Sequence, residues 1–294
     1  MTRAIGNSLS DRFGPLVSRH DKPFSAMWQA CDGEALLKVY RLIDPLERRD
    51  REALALTVAR RWGVPVPAVR AVGGEDGTSW LLVDALSGTA SFANSPRDIA
   101  AFVQRTLWLT EVLSNHPAFE GPGDGWLPMR GDEPTNSGAL LKQLSARCRS
   151  ASWWPLLREA LAELDDEDCV HLHGDIKPEH FVFAECGQVS VVDWEAAARG
   201  PAVCDYVDAA FHVVRDLIYA SACPLPLDVI GQLQVTGPVA AWRLVRWLDR
   251  RRSDDLSRIS AKHVRNLIAP AEPTDVVRRM ATLITDLRDA GVPR

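Results

Sequence analysis

The chain has 294 residues, an apolar content of 46%, a charged content of 25% and a formal net charge of −5 at pH 7. This length is enough for one large domain or two lobes with a sizeable core, and the composition is that of an ordinary globular protein. The charge pattern excludes the basic, clustered surface of a nucleic-acid-binding protein. With no apolar run of about 18 residues and no Cys-x-x-Cys pair among the scattered cysteines, we expect a cytoplasmic protein without a membrane span.

Alternating apolar residues near the N-terminus predict a series of strands. After a polar lead-in at 1–12, the segments 27–30 and 35–40 are expected to form a hairpin around the turn Asp32-Gly33. A further turn is expected at 18–23, before the hairpin.

A helix over 45–62 is predicted by apolar residues that recur with a helical period, and Gly63 ends it. A second hairpin should follow, with strands over 69–72 and 80–86 and a glycine-rich turn at 73–77.

The rest of the chain is mostly helical by pattern. Ser95 and Pro96 are typical of a helix start, and this helix should run to about Asn115. The polar loop at 116–138 is too long for a simple connector, and it is either a mobile lid over an acceptor or an insertion without a role. Further helices are expected over 139–149, 154–166, 203–221, 226–234, 237–251, 255–268 and 273–290.

Two charged segments lie within these helices. The acidic run at 165–168 is either a solvated helix end or an attraction for a cationic acceptor. Arg243, Arg246 and Arg250 fall on one helical face, which we interpret as solvated, with an acidic peptide as the alternative partner.

The stretch 171–195 concentrates residues that suit chemistry. The sequence His173-Gly174-Asp175 comes before a short apolar hairpin with strands over 181–184 and 189–192, and Asp193 follows the second strand. A tight hairpin should bring Asp175 and Asp193 together, although 18 residues separate them. In phosphoryl transfer one carboxylate receives the proton of the attacking hydroxyl and another holds the metal on the phosphates.

This ordered set resembles the protein-kinase-like superfamily and, within it, the aminoglycoside phosphotransferase and choline kinase branch. That branch is similar in having His-Gly-Asp, as at 173–175, and Asp-Trp-Glu or a like triplet, as at 193–195; Asp205 would tie the catalytic loop down. The resemblance implies an α+β, two-lobed kinase-like fold, with a small β-rich lobe over 1–86 and a larger helical lobe over 87–294. It also implies transfer of the ATP γ-phosphate to an alcohol, with Mg²⁺.

By the same resemblance, Lys38 contacts the α- and β-phosphates. Its alternative is a strand-end lysine that reaches solvent. Glu52 is then the partner of Lys38, with Glu47 as the competing candidate, because both lie on the predicted helix. The resemblance places the adenine-binding hinge on the backbone of three consecutive residues, Asp84, Ala85 and Leu86.

In the catalytic stretch, the resemblance implies Asp175 as the base and Asp193 as the magnesium ligand, assisted by Glu195. Lys177 stands where Ser/Thr protein kinases contact the transferred phosphate. His180 stands where the family has asparagine, and an imidazole is a poor ligand for magnesium. Three interpretations stay open: one metal suffices, His180 binds a softer ion, or the protein is a nucleotide-binding pseudokinase scaffold.

The acceptor is also open. An antibiotic-like or amino-sugar-like small molecule is favoured by the acidic run and the net charge. Ser/Thr of a lanthipeptide-like precursor peptide with an acidic leader is favoured by Lys177 and by the arginines of the helix predicted over 237–251. Fold analogy alone cannot separate the two.

Overall fold

The computed structural model describes residues 13–42, 44–75, 78–91, 95–116, 135–221, 224–251 and 253–294. The chain divides into two compact units. The first contains the described residues up to Ala90 and Phe181–Ala196, and the second contains those from Ser91 to His180 and Ala197–Arg294. The lead-in at 1–12 and most of the loop at 116–138 lie outside the described residues, and the division at residue 86 stays a prediction.

The first unit is built on a five-stranded antiparallel sheet with the order β1-β2-β3-β5-β4. Its strands are β1 (Leu16–Asp21), β2 (Ser25–Ala30), β3 (Ala35–Tyr40), β4 (Val69–Glu75) and β5 (Thr78–Asp84). The hairpin β2–β3 is confirmed, and its turn uses Gly33 at a φ of 79°. The turn expected at 18–23 is displaced toward the C-terminus, because β1 pairs with β2 as far as Asp21.

Strand β3 has two faces with different chemistry. Leu37 and Val39 are fully buried and pack with Trp28 and Trp80 in the core of the sheet. Successive side chains of a strand point to opposite faces, so Lys38 lies on the other face.

Helix α1 (Pro45–Arg61) is confirmed and packs against the sheet. Glu52, Ala55 and Ala59 are buried, at spacings of three and four residues that place them on one side of the helix. Gly63 ends it at a φ of 82°, a left-handed conformation that suits glycine.

The turn predicted at 73–77 is wrong at its start, because β4 continues to Glu75. Gly73 pairs across the sheet with Trp80, and a Cβ built on Gly73 would lie 2.1 Å from the Trp80 ring. Glycine is therefore needed at this position of the strand, because a larger side chain would overlap the indole ring.

A smaller sheet in the first unit carries the predicted catalytic hairpin. Its order is β6 (Thr89–Ala90), β8 (Phe181–Phe183) and β9 (Val189–Val191). The hairpin β8–β9 is confirmed, with Gly187 at a φ of 84° in its turn. Asp193 therefore leaves the end of a paired strand, as the sequence predicts.

The second unit is mainly helical. Ser95 caps its first helix, because the Ser95 side chain accepts a hydrogen bond from the Asp98 N–H at 3.2 Å. Two short strands, β7 (Val170–Leu172) and β10 (Ala198–Gly200), pair antiparallel. The helices are α2 (Pro96–Ser114), α3 (Asn136–Lys142), α4 (Trp154–Leu161), α5 (Val203–Ala220), α6 (Leu227–Ile230), α7 (Gly237–Asp249), α8 (Ser253–Leu256), α9 (Ala261–Ile268) and α10 (Pro273–Asp289).

Four predicted α-helices are shorter than expected. Those over 154–166 and 226–234 end at Leu161 and Ile230, and each is followed by a short 3₁₀ helix, to Asp166 and Leu233. The helix predicted over 255–268 is divided into α8 and α9, because Ser260 and His263 form a capping box that starts a new helix. The helix predicted over 139–149 ends at Lys142. Among the described residues, none of the helices has the length and apolar character to cross a membrane.

Candidate active site

Lys38 lies in a group of carboxylates within the first unit. Its Nζ is 2.7 Å from Glu52 Oε2, 2.5 Å from Asp193 Oδ1 and 3.0 Å from Glu195 Oε2. The side chain is buried, so the alternative of a lysine that reaches solvent is wrong. The structure brings together four residues that the sequence analysis selected separately.

Glu52, and not Glu47, pairs with the lysine. Glu52 also accepts a hydrogen bond from the Tyr40 hydroxyl at 2.5 Å. Glu47 instead pairs with Arg51 at 2.6 Å, one turn along the same helix. The face of α1 that carries Glu52 is the buried one, which is why the two glutamates differ.

The charges of this group decide its protonation. Burial alone would lower the pKa of Lys38, but Asp193 and Glu52 outweigh burial and hold it well above its usual value. Burial raises the pKa of Glu52, Lys38 opposes this, and Asp193 raises it further. The ammonium group therefore stays charged because the carboxylates surround it.

Asp193 has an uncommon backbone conformation, with a φ of 65°. Non-glycine residues in this region are few and are concentrated at functional sites. The oxygens of Glu52, Asp193 and Glu195 lie within 4.8 Å of one another, close enough to hold a metal ion. Carboxylate oxygens are the ligands that magnesium prefers, so this donor set fits Mg²⁺.

Exposure separates the three carboxylates. The side chains of Asp193 and Glu195 are 36% and 30% exposed, whereas that of Glu52 is 6% exposed. Asp193 and Glu195 are thus the accessible candidates for metal binding, and Glu52 is the partner of the lysine.

Two arginines of α1 hold Glu195, and sequence reasoning missed both. Arg48 donates to the two carboxylate oxygens of Glu195 at 3.2 and 3.1 Å. Arg51 donates to the Glu195 backbone oxygen at 3.0 Å. The spacing of about one helical turn between Arg48 and Arg51, on the helix that carries Glu52, could have indicated both residues. Only the fold, however, shows which charged side of this helix is covered by other residues.

The predicted hinge residues border a cavity of about 800 Å³ in the first unit. The N–H of Asp84 donates to Ala68 at 2.9 Å, and the N–H of Ala85 donates to Glu34 at 2.8 Å. Of the three hinge N–H groups, that of Leu86 is the one without a hydrogen bond to the described part of the chain. Adenine binding by this backbone stays a prediction.

The predicted catalytic loop, in the second unit, holds Asp175 through short contacts. Lys177 Nζ is 2.6 Å from Asp175 Oδ2. The ring Nδ1 of His180 lies 2.8 Å from the Asp175 backbone oxygen, and His180 is buried. One ring nitrogen of His180 is thus used to fix the loop, and metal binding by this residue stays a prediction.

Asp205 anchors the same loop from α5. Its two carboxylate oxygens accept the N–H groups of His173 and Gly174 at 2.8 and 2.9 Å. Burial raises the pKa of Asp205 to about 7, although these two hydrogen bonds oppose the rise. The carboxylate is therefore held where its charge is poorly solvated, in order to fix the backbone before Asp175.

Three further residues contact Asp175 or its neighbours, and the sequence analysis missed this arrangement. His212 Nε2 lies 3.5 Å from Asp175 Oδ1 and 3.6 Å from Asp208 Oδ1. Arg243 of α7 reaches Asp208 Oδ1 with its Nε at 2.6 Å and His212 Nε2 with its terminal nitrogen at 3.0 Å. Asp208 and His212 are four residues apart on α5, a spacing that could have suggested a shared face.

These contacts determine the charge of Asp175. Burial raises its pKa, but His212 and Lys177 outweigh burial and hold it well below the usual value. Burial lowers the pKa of His212. Asp175 is therefore an ionised carboxylate beside a neutral imidazole at neutral pH.

The arginines of α7 are not solvated, which corrects the expectation from sequence. Arg243 and Arg246 are each 8% exposed, and only Arg250 is exposed. Arg243 is buried because its charge is paired with Asp208, and the guanidinium group of Arg246 lies 5.2 Å from the centre of the Trp242 ring.

The acidic run at 165–168 has a structural role at one end. Asp165 accepts the Ser137 N–H at 2.7 Å and the Ser137 hydroxyl at 2.9 Å. The three residues that follow are exposed.

Comparison with known sequences gives a match to a family over most of the chain. A sequence model described as "Phosphotransferase enzyme family" matches residues 26–248. An aminoglycoside 3'-phosphotransferase of Streptomyces ribosidificus is 33% identical over 135 residues, which are 44% of this chain and 51% of that protein. The match thus spans about half the length of this relative.

Solved structures share the fold. One is a thermostable mutant of aminoglycoside phosphotransferase APH(4)-Ia in complex with AMP-PNP and hygromycin B, with a TM-score of 0.55 and 14% identity over 99% of this chain and 100% of that one. Another is choline kinase LicA from Streptococcus pneumoniae, with a TM-score of 0.53 and 12% identity over 98% of this chain and 99% of that one. The expected α+β kinase-like fold is confirmed.

Proposed function

Because this chain belongs to the phosphotransferase enzyme family, we propose that it transfers the γ-phosphate of ATP to a hydroxyl group of a small-molecule alcohol. The observation that carries the proposal is Lys38, buried between Glu52 and Asp193 at 2.7 and 2.5 Å. A buried ammonium group is unfavourable unless it is paired or meets phosphates, and kinases use a glutamate-held lysine for phosphate binding. The similar phosphotransferase structure with AMP-PNP supports ATP as the donor.

In this proposal the first unit binds the nucleotide. Lys38 contacts the phosphates, and Glu52 with the Tyr40 hydroxyl keeps it in position. Asp193 and Glu195 would hold Mg²⁺, which supplies charge neutralisation on the phosphates when bound. Arg48 limits the freedom of Glu195.

The second unit acts on the acceptor hydroxyl. Asp175 accepts a hydrogen bond from this group and orients its oxygen toward the γ-phosphorus. As the new O–P bond forms and the bond to ADP breaks, the hydroxyl proton passes to Asp175. Because the pKa of Asp175 is well below the usual value, the carboxylate is ionised and weakly basic, and the proton moves late.

The relatives guide the choice of acceptors. They are named as enzymes for an aminoglycoside and for choline. An antibiotic-like or amino-sugar-like small molecule is therefore the class to test first, with a Ser/Thr peptide as the comparison.

The experiment measures the transfer of phosphate from ATP to candidate acceptors. The protein is incubated with ATP, Mg²⁺ and hygromycin B, choline or a Ser/Thr peptide, and ADP release and the mass of each acceptor are measured. Asp193→Asn should reduce turnover by about 10³-fold or more, because several kcal/mol of metal-dependent stabilisation are lost. Asp286→Asn, an exposed change of the same chemistry, should leave turnover unchanged.

Two results would argue against the proposal. Turnover by Asp193→Asn at the rate of the parent protein would contradict the assignment of Asp193 to the active site. Tight nucleotide binding without metal, and no phosphate transfer to any alcohol, would favour the pseudokinase scaffold.

A further inference from the structure

His212 of α5 is a buried imidazole whose contacts the proposed reaction leaves unused. Its side chain is 4% exposed, and its Nε2 lies 3.5 Å from Asp175 Oδ1 and 3.6 Å from Asp208 Oδ1. A terminal nitrogen of Arg243 lies 3.0 Å from the same Nε2. All four residues belong to the second unit. Charged groups from α5, from α7 and from the loop that carries Asp175 therefore meet at one ring nitrogen.

Arg243 determines which nitrogen of His212 carries the proton. A guanidinium group has donors only, so the Nε2 of a neutral His212 accepts the hydrogen bond from Arg243 with its lone pair. The proton of the neutral ring is then on Nδ1. Nδ1 is buried and has no hydrogen-bond partner in the described part of the chain. Because a buried N–H group without a partner is unfavourable, the packing of α5 does not account for this tautomer.

The two carboxylate oxygens of Asp175 have different neighbours. Lys177 Nζ lies 2.6 Å from Oδ2, whereas Oδ1 faces the Nε2 of His212. The distance of 3.5 Å is long for a hydrogen bond, but catalytic hydrogen bonds are often long before the reactants bind and shorten in the reacting complex. A proton that arrives at Asp175 thus has the lone pair of His212 beside it.

Asp208 offers Arg243 a second acceptor. The Nε of Arg243 bonds Asp208 Oδ1 at 2.6 Å, and Asp208 Oδ2 is buried with no hydrogen-bond partner among the described residues. Arginine binds a carboxylate most strongly with two parallel N–H groups, one to each oxygen. The terminal nitrogen of Arg243 can therefore exchange His212 Nε2 for Asp208 Oδ2. This exchange completes the pair with Asp208 and leaves the lone pair of Nε2 open to a proton.

We propose that His212 takes the hydroxyl proton from Asp175 during phosphate transfer, while Arg243 turns from His212 to Asp208. The proposal rests on the proposed function, which places the acceptor hydroxyl at Asp175. The hydroxyl oxygen forms the new bond to phosphorus, and the bond from phosphorus to ADP breaks with its electron pair going to the ADP oxygen. The proton moves from the hydroxyl to Asp175 and on to Nε2. After the products leave, it returns to water through Asp175, whose side chain is 29% exposed.

The charges around His212 support a proton in this place. With both nitrogens protonated, the Nε2–H group would lie beside two carboxylates, those of Asp175 and Asp208. Burial lowers the pKa of His212, Asp208 and Asp175 oppose this, and Arg243 adds to the lowering, so the ring is unprotonated at neutral pH and able to accept. The pKa of Asp175 is held well below its usual value, so this carboxylate keeps a proton poorly.

The first experiment locates the proton on His212 without any turnover. Histidine labelled on its ring nitrogens is incorporated, and NMR at neutral pH reports which nitrogen is protonated. Among the seven histidines, His212 is identified by its proximity to the Phe211 ring, whose centre lies 5.5 Å from that of the imidazole. The proton should be on Nδ1 of His212. His263 is the internal control with the opposite tautomer, because its Nδ1 accepts the Ser260 N–H at 3.3 Å. A proton on Nε2 of His212 would overturn the proposal.

The second experiment measures the rate with hygromycin B or choline, whichever the parent phosphorylates. His212→Ala and His212→Gln should each lose about 10²-fold in kcat, the usual effect of removing a positioned proton acceptor, with KM for ATP and acceptor unchanged. His263→Gln should keep the parent kcat, since glutamine is a normal residue at that position of a capping box. Parent-like kcat in His212→Gln would overturn the proposal, and this variant decides the matter if His212→Ala does not fold.

Chemical rescue separates proton transfer from the filling of space. Imidazole added to His212→Ala should restore part of the lost rate, because it fits the space of the missing ring and accepts a proton. Pyrazole has a ring of the same size but is a much weaker base, so it should not. Equal rates with the two compounds would overturn the proposal. If the parent phosphorylates no acceptor, that result counts against the proposed function, and the NMR measurement alone decides the inference.

Discussion

Replacing Asp205 with asparagine keeps the size of a buried side chain and removes its charge. The carboxylate is 0% exposed and accepts one N–H group on each oxygen, from His173 and Gly174. Asparagine has a single acceptor oxygen, so one of these N–H groups would face an NH₂ donor. We expect the loop before Asp175 to shift and phosphate transfer to fall by about 10²-fold, the usual effect of a misplaced catalytic group.

Stability should change in a pH-dependent way. Burial raises the pKa of Asp205 to about 7 from 3.8. At about 1.4 kcal/mol for each tenfold change in proton affinity, the difference corresponds to about 4 kcal/mol. Because the folded state binds this proton more tightly than the unfolded state, the wild type loses that stability as the pH rises from about 4 to about 7.

Asparagine does not titrate, so the variant lacks this loss. It has instead a constant disadvantage of about 1–3 kcal/mol, because one of the two backbone N–H groups is left without an acceptor. Between pH 5 and pH 8, the stability of Asp205→Asn should therefore rise by about 3 kcal/mol relative to that of the wild type.

The assay is urea unfolding of both proteins at four pH values from 5 to 8, with Asp286→Asn as an exposed control. The control should follow the wild type at each pH. If the stability difference between Asp205→Asn and the wild type stays constant within about 0.5 kcal/mol, the reasoning from burial is refuted.

Three further substitutions test other parts of the structure. His180→Asn should keep activity with Mg²⁺, because the asparagine amide N–H can replace the ring contact with the Asp175 backbone oxygen. His180→Ala should lose about tenfold in kcat, and equal losses in the two variants would contradict this role. Gly73→Ala places a Cβ 2.1 Å from the Trp80 ring and should lower stability in thermal unfolding by about 1–3 kcal/mol, so an unchanged melting temperature would argue against the close contact. Ser95→Ala should cost about 1 kcal/mol in urea unfolding and Ser95→Gly only a few tenths, and the reverse order would contradict the capping role.

The part of the site that could be predicted from sequence lies in continuous motifs. Asp175 and Asp193 flank a hairpin whose strands and turn are visible as a local pattern. Lys38 is conspicuous as a charged residue in an apolar strand, and the helix after it offers two glutamates as candidate partners. Glu52 could be preferred over Glu47 only by resemblance, because both fit the helix.

The rest of the site depends on contacts between distant helices. Asp208 and Arg243 are 35 residues apart, and no local periodicity pairs them. Arginine is usually exposed, so a row of arginines on a helix is interpreted as solvated unless the partner helix is known. The same limit concealed Arg48, whose partner lies 147 residues further along the chain.

Errors in the fold have local causes. Gly73 resembles a turn residue because glycine is common in turns, whereas its strand requires space for an indole ring. The break before α9 was signalled by Ser260 and His263, but the second residue of a capping box is normally Glu or Gln.

The first unit is discontinuous in sequence, and this affects how the protein is made. Lys38 and Asp193 are 155 residues apart, yet they belong to the same unit. During synthesis on the ribosome the sheet is complete long before the hairpin that carries Asp193 emerges. Until then Lys38 lacks one of its carboxylate partners. Because closing so long a loop is entropically unfavourable, the proposed phosphate-binding group should form only after the large sheet. A nascent chain released before residue 193 would contain all five strands of the large sheet and still lack the aspartate at its lysine.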